Sequence, residues 1–302
     1  MSHMNEHINH VKLTTHALGD TIAFMPVVEK FAKSFIYPLH VGINKHLIPL
    51  FEGLYGNIIL VDNTEWEETE NTLFIHYKFD KPIQDGYAEQ FGMVDFKYIR
   101  PRINGSGKDR PIKNKYVTFS IHSTAQCKYW NHPDGRQKQL TSDNWNNLAG
   151  MFRKMNITPV CVDKWYSFGV HPYFNNAPKK SLNVIDRSLM DAINYIEHSE
   201  FYIGLSSGMS WVAHALGKPV CMIANFLNEH NEFKLGIDDY LRITEKSVCN
   251  DCWYTNEFNS GDWYWCPKHQ NTEREFECHK VITPERVMQE LNNHPKFKTL
   301  LS

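Results

Sequence analysis

The stretch FYIGLSSGMSWVAHALGKPVCMI, residues 201–223, decides how the rest of the chain reads. Residues 201–205 form a short apolar run of strand character, and residues 219–223 form another. Between them, residues 210–216 carry a helix that Gly217 and Pro219 are suited to close. Strand, helix and strand in so short a span is the repeating unit of a parallel sheet covered by helices. Ser206, Ser207 and Gly208 stand where the first strand gives way to the helix. The unpaired N–H groups of a helix start suit a phosphate, and these three small residues leave room for one. The plainer alternative is an ordinary capped turn. The pattern is neither a P-loop nor a dinucleotide fingerprint.

The same alternation runs toward both termini. Residues 11–15, 39–43, 57–61 and 73–77 read as strands, with helices predicted over 20–35 and 46–55. Further on, 116–121 and 159–162 read as strands, and 142–155 and 189–196 as helices. The last predicted helix covers 283–291, with Pro284 in its first turn. Residues 102–111, RINGSGKDRP, combine glycines, a serine, charges and flanking prolines, and make the best linker in the chain. The linker separates an N-terminal domain, 4–103, from a C-terminal domain, 112–302. The predicted class is α/β, as two Rossmann-like doubly wound domains with a cleft between them.

At 302 residues the chain is long enough for two domains, and a hydrophobic fraction of 42% can fill a core in each. Lysine plus arginine number 32 against 34 aspartates and glutamates, a formal charge of −2. Bulk charge therefore does not favour a phosphate backbone, and only a local groove of Arg100, Arg102, Lys108 and Arg110 would serve nucleic acid. No apolar run approaches the ~20 residues of a membrane span. The first residues lack the basic-then-apolar pattern of a secretion signal, so the expected location is cytoplasmic.

Seven cysteines are present: Cys127, Cys161 and Cys221 are scattered, whereas Cys249, Cys252, Cys266 and Cys278 cluster. An odd number without a secretion signal argues against a disulfide framework. The Cys249-x2-Cys252 pair has the spacing that lets two thiolates reach one ion, and Cys266 and Cys278 complete a tetrahedral set. His269 and His279 are alternative ligands. A four-cysteine site has no open position and is structural; zinc and iron both accept it. Chance clustering is the plainer reading, and a redox pair would have no need of Cys266 and Cys278.

Ala17-Leu18-Gly19-Asp20 joins the first strand to the first helix, where ligands of an open α/β sheet bind. Asp20 is either an N-cap or a general base. Lys128, just beyond the 116–121 strand, either meets a ligand phosphate or is a solvated surface lysine.

Taken together, these segments resemble the heptosyltransferase-like glycosyltransferases of the GT-B fold, and within them the bacterial autotransporter heptosyltransferases. Residues 17–20 are similar to the motif whose aspartate is that family's proposed base. Thr124 and Lys128, with Trp130, are similar to a segment that contacts donor phosphates. Residues 204–219 are similar to the nucleotide-binding segment, and Asn231-Glu232-Phe233 followed by the four cysteines to the autotransporter branch, whose finger holds iron. Ser206, Trp211 and Met190 depart from the lipopolysaccharide branch, and Asp191, next to the position of that branch's glutamate, is the candidate to replace its ribose contact. The chain begins almost at the first strand, so the branch's extra N-terminal acceptor-docking domain is expected to be lacking.

The resemblance implies an inverting glycosyltransferase. Its N-terminal domain takes the acceptor, with Asp20 as base and Gly19 and Thr15 beside it. Its C-terminal domain holds a nucleotide-diphosphate sugar through Thr124, Lys128, Ser206, Ser207, Gly208, Met209 and Ser210. Cys249, Cys252, Cys266 and Cys278 hold one structural ion in a finger over 249–278, iron by resemblance or zinc. A protein serine or threonine is the expected acceptor; a hydroxymethylated DNA base is the alternative. A non-catalytic binding module built on the finger is the rival from another class.

Overall fold

The structure is a computed structural model that describes residues 8–65, 71–78, 80–123, 130, 143–163, 166–168, 171–174, 177–184, 187–228, 232–234, 236–254 and 266–302, with backbone alone at 166–168, 171–174 and 254. Thr124, Lys128 and Asn231, which the sequence singles out, lie outside the described residues. The chain divides into two compact units: residues 1–105 with 214–217 and 230–234, and the remainder.

The first unit is built on a parallel sheet of β1 (His10–Leu13), β2 (Leu39–Ile43), β3 (Ile58–Asp62) and β4 (Thr72–Ile75), in the order β3-β2-β1-β4. Helix α1 (Leu18–Ala32) follows β1, and α2 (Ile83–Gln90) follows β4 and packs on α1. Val11, Leu13, Val41, Ile43 and Ile75 are buried on one face of the sheet, whereas Ile59 and Phe74 on the other are exposed. The connection from β3 to β4, residues 63–71, is shorter than the ~10–12 residues of a helical crossover. The helix predicted over 46–55 is a 3-10 helix, Lys45–Leu50, with Pro49 inside it. A proline there has no N–H to donate, and the chain continues as turns.

The second unit holds six parallel strands: β5 (Tyr116–Ser120), β6 (Thr158–Cys161), β9 (Leu182–Asn183), β10 (Tyr202–Leu205), β11 (Val220–Ile223) and β12 (Tyr240–Ile243). A separate antiparallel pair, β7 (Tyr166–Phe168) and β8 (His171–Phe174), precedes β9. The order β12-β11-β10-β5-β6-β9 runs outward both ways from β5, which is the doubly wound order of a Rossmann sheet. Its helices are α3 (Asp143–Lys154), α4 (Leu189–His198), α5 (Gly208–Ala215), α6 (Glu277–Lys280), α7 (Pro284–Asn293) and α8 (Pro295–Leu301). The sequence reading stopped at 291, but Pro295 opens one helix more. Every residue of β5, β10 and β11 is buried, as central strands of a sheet covered on both faces must be. The core is aromatic: Trp130 meets Trp145 edge-on at 4.9 Å, Trp145 stacks on Phe119 at 5.6 Å, and Phe201 meets Phe297 edge-on at 5.2 Å. Trp130 also donates from Nε1 to the Ile282 carbonyl at 2.7 Å, so its role is a core anchor just beyond the Thr124–Lys128 segment.

Candidate functional site

In a doubly wound sheet the ligand crevice opens beyond the carboxyl ends of the two strands where the order reverses. In the second unit these are β5 and β10, whose ends carry Ser120–Ser123 and Ser206–Gly208. Ser207, Gly208 and Met209 are partly exposed at the start of α5. The helix start leaves its first N–H groups without intrahelical partners, a ready anion site. Ser206 is buried, and Ser210 is fully buried with its hydroxyl donating to the Leu205 carbonyl at 2.5 Å. Ser210 thus holds the turn from inside. The plainer reading of the segment is correct at its far end: Gly217 has φ +76, and Lys218 N–H donates to the Ala213 carbonyl at 3.0 Å.

Asp163, just after β6, is a residue the sequence reading missed. Its buried carboxylate accepts the Ser120 hydroxyl at 2.8 Å, the Ile121 N–H, and the His122 N–H at 3.2 Å. The His122 ring nitrogen Nδ1 lies 3.5 Å from the same carboxylate. One side chain therefore fixes the carboxyl end of β5, from which the Thr124–Lys128 segment departs. No local motif marks an aspartate that acts across two strands, so only the topology reveals it.

In the first unit the order reverses between β1 and β4. Thr14 bridges their ends, bonding the Ile75 carbonyl through N–H at 3.0 Å and through its hydroxyl at 3.1 Å. Asp20 lies beside this point but is not the N-cap. Ala17 occupies that position, with no side-chain cap, and Asp20 is the third residue of α1. The N-cap alternative is thus corrected: α1 starts three positions earlier than a cap at Asp20 requires. The carboxylate accepts the Thr15 hydroxyl at 2.8 Å and remains partly exposed, while Gly19 is buried. Tyr87 of α2 is fully buried nearby, and burial, followed by the Asp20 charge, pushes its phenol well above the usual range. A carboxylate held by a neighbouring hydroxyl and open to solvent can take a proton from an alcohol.

The four clustered cysteines line one small cavity, partly open to solvent, together with Phe226, Phe276, His269, Arg274 and Glu277. Cys249 Sγ and Cys252 Sγ are 4.0 Å apart. Two thiolates bound 2.3 Å from a tetrahedral ion would sit about 3.8 Å apart, so this pair fits a shared metal. Burial and the neighbouring Cys249 raise the Cys252 thiol pKa. Among the described residues, the one group of three ligand atoms that all lie within 4.8 Å of one another is Cys249, His269 and Glu277. Glu277, however, already accepts the Cys249 N–H at 3.0 Å and Arg274 at 2.6 and 3.0 Å. Those bonds, the Arg274 fork above all, hold its carboxyl below the usual range. His279 is buried on α6, where its ring meets Phe276 edge-on at 6.0 Å.

Several polar residues named from sequence are engaged structurally. Asp191 closes a capping box with Ser188 and pairs with Lys108 at 2.7 Å, so its carboxyl is held at about 2; it is a helix-start residue. Arg110 pairs with Glu200 at 3.3 Å, Arg102 with Glu29 at 3.7 Å, and Arg100 donates to the His214 carbonyl at 3.0 Å. The four cations proposed for a nucleic-acid groove each have an intramolecular partner. Among the described residues, no helix is long and apolar enough to cross a membrane.

No family model matches the chain. Over 293 residues, 92% of this chain and 68% of the relative, it is 28% identical to the autotransporter heptosyltransferase BAHTCr of Citrobacter rodentium. Over 295 residues, 92% of this chain and 71% of the relative, it is 28% identical to the autotransporter heptosyltransferase Aah of Escherichia coli. Among solved structures, the dodecameric iron-containing heptosyltransferase TibC of enterotoxigenic E. coli, in complex with ADP-D-β-D-heptose, matches with a TM-score of 0.81 at 24% identity, over 97% of this chain and 76% of that one. Nothing among these relatives supports a nucleic-acid acceptor. Two parallel sheets of this order and similarity across nine-tenths of the chain make this protein a GT-B glycosyltransferase similar to the autotransporter heptosyltransferases.

Proposed function

We propose that the chain transfers a heptose, with inversion, from a nucleotide-diphosphate sugar of the ADP-heptose kind to a serine or threonine hydroxyl of a protein. The observation that carries this reading is the turn Ser206-Ser207-Gly208 into α5 at the reversal point of the second sheet, in a chain similar to heptosyltransferases. The second domain, 112–302, takes the donor. Backbone N–H groups of Ser207, Gly208 and Met209, with Thr124 and Lys128, meet its phosphates. The first domain, 4–103, takes the acceptor, with Gly19 and Thr15 flanking Asp20. The acceptor oxygen forms a bond to the anomeric carbon from the face opposite the diphosphate, and its proton passes to Asp20. The bond from the anomeric carbon to the diphosphate breaks, and the leaving oxygen keeps the electron pair. Lys128 offsets that developing charge, usually the largest catalytic contribution.

Cys249, Cys252, Cys266 and Cys278 hold one structural ion, iron as in TibC or zinc. The ion cross-links the finger over 249–278 and takes no part in the transfer. Its surroundings are arranged for binding; the chemistry rests on Asp20 and the donor turn.

A panel of nucleotide sugars, scored for slow release of free diphosphate, tests the reading. ADP release from ADP-heptose is expected, and Asp20→Asn should lower transfer by about 10²–10⁴-fold while leaving nucleotide affinity within a few-fold of wild type. Equal loss of both would remove the base role. Silence across the panel, with no thermal stabilisation by any nucleotide, would favour the binding module.

A further inference from the structure

The cavity lined by the cysteines also holds an ion pair that metal ligation leaves unused. Arg274 grips Glu277 with both sides of its fork, Nη2 to Oε1 at 2.6 Å and Nε to Oε2 at 3.0 Å. The same Oε1 accepts the backbone N–H of Cys249 at 3.0 Å, and His269 Nε2 lies 4.0 Å away. One carboxylate thus ties a guanidinium to the backbone of the first cysteine. Four thiolates around a divalent ion carry a formal charge of −2. Cys252, Cys266 and Cys278 are 4%, 6% and 8% exposed, against walls of Phe226 and Phe276. Negative charge in such a setting is costly without a nearby cation.

We propose that Arg274 and Glu277 form the outer shell of the metal centre: Arg274 offsets the charge of the thiolate cluster, and Glu277 fixes both Arg274 and the Cys249 backbone in place. The inference rests on the four-thiolate reading of the site. Its signature is that the two halves of one ion pair act in opposite directions. Losing the cation leaves two sources of negative charge uncompensated, whereas losing the carboxylate charge removes one of them. A pair that served packing alone would weaken the site whichever half was changed.

The test is a zinc competition with a chromophoric chelator on the full chain, at fixed pH and ionic strength, with bound metal per chain measured beside it. Wild type should hold one ion. Arg274→Gln should give up zinc about tenfold more readily, the size of effect outer-shell changes commonly have. Arg274→Lys, which keeps the charge and loses the fork, should recover most of that loss. Glu277→Gln keeps an acceptor for the Cys249 N–H and should hold zinc at least as tightly as wild type. In the iron-loaded protein, the reduction potential should fall for Arg274→Gln and rise for Glu277→Gln. Equal weakening by Arg274→Gln and Glu277→Gln, or no rescue by Arg274→Lys, would overturn the proposal with the metal site intact. A wild-type chain that takes up neither zinc nor iron would instead overturn the four-thiolate reading itself.

Discussion

His214 shows how far one side chain can depart from its usual chemistry. It is 1% exposed, its ring stacks on Phe233 at 4.2 Å, and its Nε2 is hydrogen-bonded to the Tyr98 hydroxyl at 2.7 Å. Burial, with the charge of Arg100 second, lowers its pKa to about 3. The unfolded chain takes up a proton near pH 6.5 and the folded one does not, so His214 contributes stability above pH 6.5 that drains away toward pH 3. The slope is about 1.4 kcal/mol per pH unit once the unfolded state is protonated. Thermal melts of wild type and His214→Gln should converge from pH 7 to 4.5, with the variant less stable at pH 7 yet flatter as pH falls. Parallel curves would show that the histidine is protonated in the folded state. From sequence this residue was one of sixteen histidines without metal spacing, because nothing local announces a partner at Tyr98 or Phe233.

At the scale of elements, β10 depends on a close fit that requires glycine. A Cβ on Gly204 would lie within 2.7 Å of ring carbons of Tyr202, two residues back on the same face of the strand. The Tyr202 phenol lies among the hydroxyls of Ser120, Ser207 and Ser210, beside the Ser206–Gly208 turn, and the ring is fully buried. Gly204→Ala must therefore displace the tyrosine or the strand. Overpacking of this kind costs about 1–3 kcal/mol. Calorimetry should show a lower melting temperature, and nucleotide affinity should fall with it; an unchanged melting point would mean that the ring moves freely. The strands with continuous apolar runs, such as 202–205 and 220–223, were legible because burial on both faces leaves a simple pattern. Helix α2 was not, since IQDGYAEQ has a glycine at its centre and low hydrophobicity; Lys78 packs over Gly86 there, 3.2 Å from where a Cβ would stand. β12 and α8 were missed for similar reasons: YLRI is short, and a proline opens a helix as readily as it follows one. Asp20, Ser206–Gly208 and the cysteines were all visible as residue types at strand or loop ends, whereas Asp163 and Arg274–Glu277 act through contacts distant in sequence.

On the scale of the molecule, the cysteine region has an apolar cluster of its own. Phe226, Cys252, Cys266 and Phe276 pack together, with Cys249 and Trp253 against them. The main core of the second unit is a separate cluster, from Val117 and Phe119 through Trp145 and Phe201 to Phe297 and Leu301. Among the described residues this cluster has few apolar side chains to offset the entropy of ordering its loops, and the ion proposed for the cysteines would supply the difference. Its loss should then be felt locally. Stripping the metal with a chelator, or changing Cys266 and Cys278 to serine, should open residues 249–280 to proteolysis and fast amide exchange. The amides of β5, β10 and β11 should keep their protection, and the main melting transition should shift by only a few degrees. A single cooperative unfolding on metal loss would instead mean that the two clusters are coupled and that the ion stabilises the whole unit. Retained protection across 249–280 after stripping would mean that the aromatic packing holds the region without an ion.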